Sequence, residues 1–194
     1  PGGISVEDFI AITKTNSIHS QITKNDALKV VFPYSQEQVF QMNLKGYNSL
    51  SKQMPSFTYN YPSIKKSLFS WSLSYMGFSG YLNPFTNEAQ VNDKIPMYNF
   101  PTTVTHEMAH QLGYASETEA NFIAFVVATE ADDPMLKYSM LLQMFTYAQD
   151  AQLLLLAGTK GFDAWKAQIA KNKAMLSPDV LKDRAEIKAF FAAR

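Results

Sequence analysis

The stretch His106-Glu107-Met108-Ala109-His110, followed by Gly113 and then by Glu117-Thr118-Glu119-Ala120-Asn121, organises the rest of the chain. Two histidines four residues apart stack along one face of a helix, since four residues make slightly more than one turn. Both imidazoles can then reach one tetrahedral Zn²⁺ at roughly 2.0–2.1 Å, with the Glu107 carboxylate pointing to the metal's open side. A site with an open position needs a third protein ligand, and Glu117 is the expected one. It lies four residues before Asn121, so both share a face of the next helix. The carboxylate can bind the metal while the amide hydrogen-bonds a ligand histidine and fixes its tautomer. Glu119 sits on another face and reads as the capping-box partner of Ser116, although a swap of the two glutamates stays open. The competing reading is a pair of solvated histidines on a helix surface.

Composition narrows the remaining chemistry. A chain of 194 residues, 46% hydrophobic, fits one domain spanning 1–194 with a sizeable core. Seventeen basic residues balance seventeen acidic ones, so no basic face argues for nucleic acid. With no cysteine, disulfides, thiol catalysis and zinc–thiolate sites are excluded, and any metal must use histidine and oxygen. No apolar run reaches the ~18 residues that cross a bilayer, and Pro1-Gly2-Gly3 does not open a signal peptide. Pro1 in place of an initiator methionine leads us to expect a processed or cut chain whose anchoring or targeting segments have been removed.

The expected fold is α+β and mainly helical: residues 1–60 helical or irregular, 65–92 a small sheet, and 101–194 helical with the histidine pair. Between residues 4 and 31, apolar clusters (Val6, Phe9, Ile10, Ile12; then Leu28, Val30, Val31) predict a short helix followed by an irregular segment or strand. His19, with no ligand-spaced partner, is expected at the surface or hydrogen-bonded and stays outside the site. Ser35 with Gln38 three residues on is a capping box opening a helix over 36–53. Phe69, Trp71, Leu73 and Tyr75 alternate with serines, the period of a half-buried strand. Glu88–Asn92 reads as an edge strand able to pair with an extended peptide, or as a connecting loop. Pro101, with Thr102, Thr103 and Thr105 to cap, starts the histidine helix, and Gly113 ends it in a left-handed turn. Ser116, Asp133-Pro134, Thr159 and Ser177-Pro178 open four more helices, running toward Thr129, Leu156, 171 and 192. Leu153–Leu156 is expected in the core.

With zinc bound, Glu107 is the expected general base for water attack on an amide, and Tyr138, early on the helix after Asp133, the expected donor to the oxyanion. At these residues the sequence resembles the gluzincin-like zinc peptidases, in which HExxH is followed by a helix whose glutamate completes the site. The run Glu117-Thr118-Glu119-Ala120-Asn121-Phe122 is similar to the corresponding helix of the repressor-cleaving metallopeptidases and to the Glu-x-x-Ala-Asp pattern of the membrane CAAX-type proteases. Both patterns make the first glutamate the ligand, which favours Glu117. From Lys65-Lys66-Ser67-Leu68 through Gly80-Tyr81-Leu82-Asn83-Pro84-Phe85 to Tyr138-Ser139, the chain further resembles an uncharacterised bacterial family of membrane-anchored HExxH proteins. That resemblance implies a zincin-like fold, a Zn²⁺ cofactor and a peptide or protein substrate. It also implies a soluble, extracytoplasmic part of a protein tethered through segments absent from this sequence. The alternative function is a non-catalytic zinc-binding sensor or protein-interaction domain. The oligomeric state is not legible.

Overall fold

The computed structural model describes residues 6–22 and 32–193. Leu28, Val30 and Val31 lie outside the described residues. In chain order come α1 (Val6–Ser20), α2 (Gln36–Gln53), a 3₁₀ turn (Pro55–Phe57), β1 (Ile64–Lys66), α3 (Ser70–Met76), β2 (Gly80–Leu82) and β3 (Ala89–Val91). There follow α4 (Phe100–Gln111), α5 (Glu117–Glu130), α6 (Pro134–Leu156), α7 (Phe162–Ala174) and α8 (Pro178–Ala192). The fold is thus mainly helical with one small sheet. No helix among the described residues is long and apolar enough to cross a membrane.

Helix α4 is the centre. Phe100, Val104, Met108 and Ala109 are fully buried against Val39, Tyr47 and Leu50 of α2, Val91 of β3, and Ala120, Ile123 and Val127 of α5. Its threonines are buried too, so each hydroxyl needs a partner inside the protein. Thr103 and Thr105 donate to the carbonyls of Asn99 and Pro101 one turn back, at 3.2 and 2.8 Å. The one proton of Thr105 is shared between Pro101 O and the Asn43 side-chain oxygen of α2, while the Tyr47 phenol donates to the Thr105 carbonyl at 2.8 Å. On the other side the hydroxyls of Thr102 and Ser139 of α6 meet at 2.7 Å. These bonds fix α4 in rotation and translation, which sets the direction of its two histidines. They also correct the expected capping role: the threonines lie inside the helix, and Asn99 is its N-cap, with no side-chain capping bond.

A second core joins Ile12 and Ile22 to Tyr98, Met135, Tyr138, Leu142 and Phe145, with Leu176 and Val180 from the C-terminal helical region. Ser35 caps α2 as expected: its hydroxyl accepts from Gln38 N–H at 3.2 Å, and the Gln38 side chain accepts from Ser35 N–H at 2.7 Å.

Three expectations are corrected. The segment from Phe69 to Tyr75 is helix α3, not a strand. Ser70 and Ser74, four apart, turn inward with Leu73, and the aromatic residues turn out. The Ser70 hydroxyl donates to Ser67 O at 2.8 Å and accepts from Asp93 N–H at 3.0 Å, and Ser74 accepts from the Asn92 amide at 2.9 Å. The serines were the buried anchors, so the apolar alternation carried no information about the pleat. Glu88–Asn92 does not form an edge: β3 is central, parallel to β1 and antiparallel to β2, in the order β1-β3-β2. Leu153–Leu156 is not core, since Leu154 is 82% exposed and Leu155 77% exposed.

Candidate metal centre

His106 and His110 project from α4 with their Nε2 atoms 2.9 Å apart. Glu117, the first residue of α5, brings Oε2 to 3.1 Å from His106 Nε2 and Oε1 to 3.5 Å from His110 Nε2. Three ligands around a tetrahedral ion at ~2.0 Å are separated from one another by roughly 3.3 Å, so the spacing fits such an ion. His106, His110 and Glu117 form the described cluster with metal-binding geometry. Of the two glutamates, the structure places Glu117 there.

The turn between the helices explains how six intervening residues suffice. Gly113 adopts φ +104°, a conformation that favours glycine. Its N–H donates to His110 O at 2.9 Å and the Tyr114 N–H to Ala109 O at 3.2 Å, the paired bonds of a Schellman ending. The chain then reverses and leaves the Tyr114 carbonyl 2.7 Å from His110 Nδ1. Ser116 caps α5, accepting from Glu119 N–H. One turn into that helix, Asn121 Oδ1 stands 2.7 Å from His106 Nδ1, the orienting role read from its spacing.

These two acceptors decide the tautomers. A carbonyl cannot donate, so His110 carries its proton on Nδ1, and the amide oxygen of Asn121 assigns the same to His106. Burial and the nearby His110 lower the His106 pKa, favouring the neutral ring despite opposing contributions from Glu117 and Asn121. With both rings neutral, their Nε2 atoms present lone pairs to the Glu117 carboxylate and to each other. Three acceptors with no donor among them repel, and a cation reverses the sign of every contact. The donor set of two imidazoles and a carboxylate oxygen suits Zn²⁺.

Glu107 is 5% exposed, and its Oε2 has no hydrogen-bond partner among the described residues. Burial, assisted by the charge of Glu117, pushes its carboxyl up to about 8. It faces a cavity of about 890 Å³ also lined by both histidines, Glu117, β2, Gln143 and Tyr147. The β2 backbone lies directly on it: a Cβ added at Gly80 would fall 2.6 Å from Glu107 Oε1.

Residues 8–193 match the family described as protein of unknown function (DUF3810). The chain belongs to that family. No curated protein and no solved structure matches the chain.

Within this DUF3810 member, Tyr138 is not at the cavity. It is fully buried in the second core and donates to Asp183 at 2.5 Å, with the ring of His19 5.1 Å away. His19 is likewise outside the triad, buried 3.8 Å from Asp183 rather than at the surface. Beside Tyr81 of β2, the tyrosine that α6 brings to the cavity is Tyr147. Burial raises its pKa, Gln143 offsets part of the rise, and the charges of Glu117 and Glu107 add to it, so the phenol keeps its proton.

Gln111 is a further residue the sequence did not announce. Its side-chain amide donates to Ser63 O at 3.1 Å and to Asn87 O, and it accepts from Ser63 N–H at 3.2 Å and from the Tyr59 phenol. One side chain at the end of α4 thereby ties β1 and the β2–β3 turn to the histidine helix.

Proposed function

We propose that this protein is a zinc-dependent metallopeptidase with a zincin-like catalytic half, and that His106, His110 and Glu117 hold the metal. The observation that carries the reading is the convergence of two imidazole lone pairs and a carboxylate, with both Nδ1 atoms engaged by acceptors. When bound, zinc supplies Lewis acidity toward a carbonyl oxygen and brings the pKa of water toward ~7. Glu107 is the base: its carboxylate takes a proton from the attacking water and delivers it to the leaving nitrogen. The Tyr147 phenol donates to the substrate oxygen on which negative charge develops, the role earlier expected of Tyr138.

The register of the sheet supports a peptide substrate. Asn83 N–H donates to Glu88 O and Asn92 N–H to Ser79 O, both at 2.9 Å. Hydrogen-bonded pairs therefore fall on Ser79, Tyr81 and Asn83, and the N–H and C=O of Gly80 and Leu82 face away from β3. An extended chain can add to that edge, beside Glu107, by main-chain hydrogen bonds. The strand-addition surface expected at Glu88–Asn92 is thus reassigned to β2. Membrane tethering, implied by the resemblance, belongs to this proposal.

The test is elemental analysis of protein purified without chelator, with hydrolysis of an unfolded protein substrate measured in parallel. About one zinc per chain, lost on His106→Ala, with proteolysis abolished by Glu107→Gln while zinc is kept, is the expected result. Zinc without any proteolysis would shift the reading to a sensor or interaction domain.

A further inference from the structure

The charge of the cleft bears on which part of a polypeptide it accepts. Among its described lining residues the carboxylates are Glu107 and Glu117, and none is a lysine or arginine. Both carboxylates are committed, one as base and one as ligand. Among these residues a free C-terminal carboxylate would find no cationic side chain, and a free N-terminal ammonium no uncommitted acid. Placing either end in the cleft would bury an unpaired charge, which is strongly unfavourable.

One wall of the cleft extends this property outward. From Ser67 to Asn87, 21 consecutive residues carry no charged side chain in a chain that is 18% charged overall. This run builds α3 and β2, and it presents Phe69, Trp71, Tyr75 and Phe78 to solvent, with Trp71 69% exposed and its ring 4.4 Å from that of Tyr75. Phe78 belongs to both surfaces. Its N–H closes the end of α3 on Leu73 O at 2.9 Å, while its side chain, 55% exposed, borders the cavity. The opposite edge of the sheet is built differently: Lys65 and Lys66 of β1 pair with Glu88 and Glu37. Charges of this kind are what keep an edge strand from pairing with other chains. The β2 edge carries none.

We infer that the site acts within chains, as an endopeptidase on extended segments with apolar side chains and no charge near the scissile bond, and that Phe78 receives one of those side chains. This inference rests on the proposed peptidase reading and names its substrate class.

The experiment uses the full chain as Glu107→Gln, which cannot turn over substrate, with Trp165→Phe so that Trp71 is the sole tryptophan. Three decapeptides are titrated by Trp71 fluorescence with zinc present: an acetylated and amidated apolar one, the same peptide with lysine and aspartate at its centre, and a free-ended version of half the length. The capped apolar peptide is expected to bind at least 10-fold more tightly than the others, and Phe78→Ser to erase most of that advantage. Mass spectrometry of an unfolded protein digested by the zinc-loaded wild type is expected to show internal cuts flanked by apolar residues. Preference for the charged or free-ended peptide, or release of single residues and dipeptides, overturns the inference. Absence of hydrolysis with the binding order preserved sinks the peptidase reading instead.

Discussion

Replacing Gly80 by alanine probes the contact on which the proposed chemistry depends. The new Cβ would sit 2.6 Å from Glu107 Oε1, 2.7 Å from Cγ and 2.8 Å from Cδ, where ordinary contact begins at 3.4 Å. The carboxylate must therefore retreat by about 0.8 Å, or β2 must lift by the same amount. Overpacking of this size costs about 1–3 kcal/mol of stability, and a displacement near 1 Å in a catalytic group costs on the order of 10²-fold in rate. The zinc ligands are untouched. The assay is zinc content, circular dichroism and kcat on an unfolded protein substrate, beside Gly46→Ala as a control. At Gly46 of α2 the added Cβ meets Val127 Cγ1 at 2.8 Å, a clash of similar size in the core. The control should lose stability without losing activity per folded molecule, whereas Gly80→Ala should keep its zinc and lose about 10²-fold in kcat. A folded, zinc-loaded Gly80→Ala protein with wild-type kcat would refute the placement of Glu107 as base under β2.

The two tyrosines should separate cleanly: Tyr147→Phe is expected to lower kcat by about 10²-fold with zinc retained, whereas Tyr138→Phe, which removes the bond to buried Asp183, should lower Tm and leave kcat near wild type. Equal effects on kcat would count against the assignment. Asn121→Ala removes the acceptor that orients His106, so competition with a chelating dye should show zinc affinity down about 10–100-fold in a folded protein. Asp133 caps α6 by accepting from the Met135 and Leu136 N–H groups and also takes the Tyr34 phenol proton at 2.6 Å. Asp133→Ala should cost about 1–2 kcal/mol in urea unfolding with zinc content unchanged.

The sequence disclosed those parts of the site that depend on helical phase alone. His106 with His110, and Glu117 with Asn121, are each four apart, and such pairs share a face whatever surrounds the helix. The caps at Ser35, Ser116 and Asp133 were legible for the same reason, being local hydrogen bonds between near neighbours. What could not be read needed knowledge of a neighbour. On α6 the stripe that faces α4 runs through Ser139, Gln143 and Tyr147, four residues apart: Ser139 bonds Thr102, and the other two line the cavity. Tyr138 precedes that stripe by one residue, about 100° around the helix, and so turns to the second core. No feature of α6 by itself says which stripe faces inward. His110 was half legible, because its orienting partner is a backbone carbonyl, which leaves no mark in composition. The strands are three residues each, too short for a period to show, and their order follows from long-range pairing. In α3 a serine–aromatic alternation satisfied both periods, and the hydrogen bonds of Ser70 and Ser74 to the segment after β3 chose the helix.

Most buried polar groups around α4 are matched donor to acceptor, as Thr105, Asn43 and Tyr47 show. Three mismatches meet in one cavity: facing lone pairs 2.9 Å apart, a buried carboxylate oxygen without a partner, and a strand edge whose backbone groups are unused among the described residues. Conflicts that local rules would remove persist where function needs them. The first conflict has a specific remedy, which makes it measurable as stability. A ligand that binds the folded state alone at 100 times its Kd stabilises by about 2.7 kcal/mol. In a domain of this size each kcal/mol moves Tm by roughly 2–4 °C, so zinc should raise Tm by roughly 5–10 °C. Differential scanning calorimetry of chelator-treated protein with and without zinc measures the shift. His106→Ala removes one of the three donors and should abolish it. Magnesium, which prefers six oxygen ligands, should not reproduce it. A zinc shift that survives His106→Ala would mean that the ion binds elsewhere, and that the facing lone pairs at His106 and His110 are not where the metal acts.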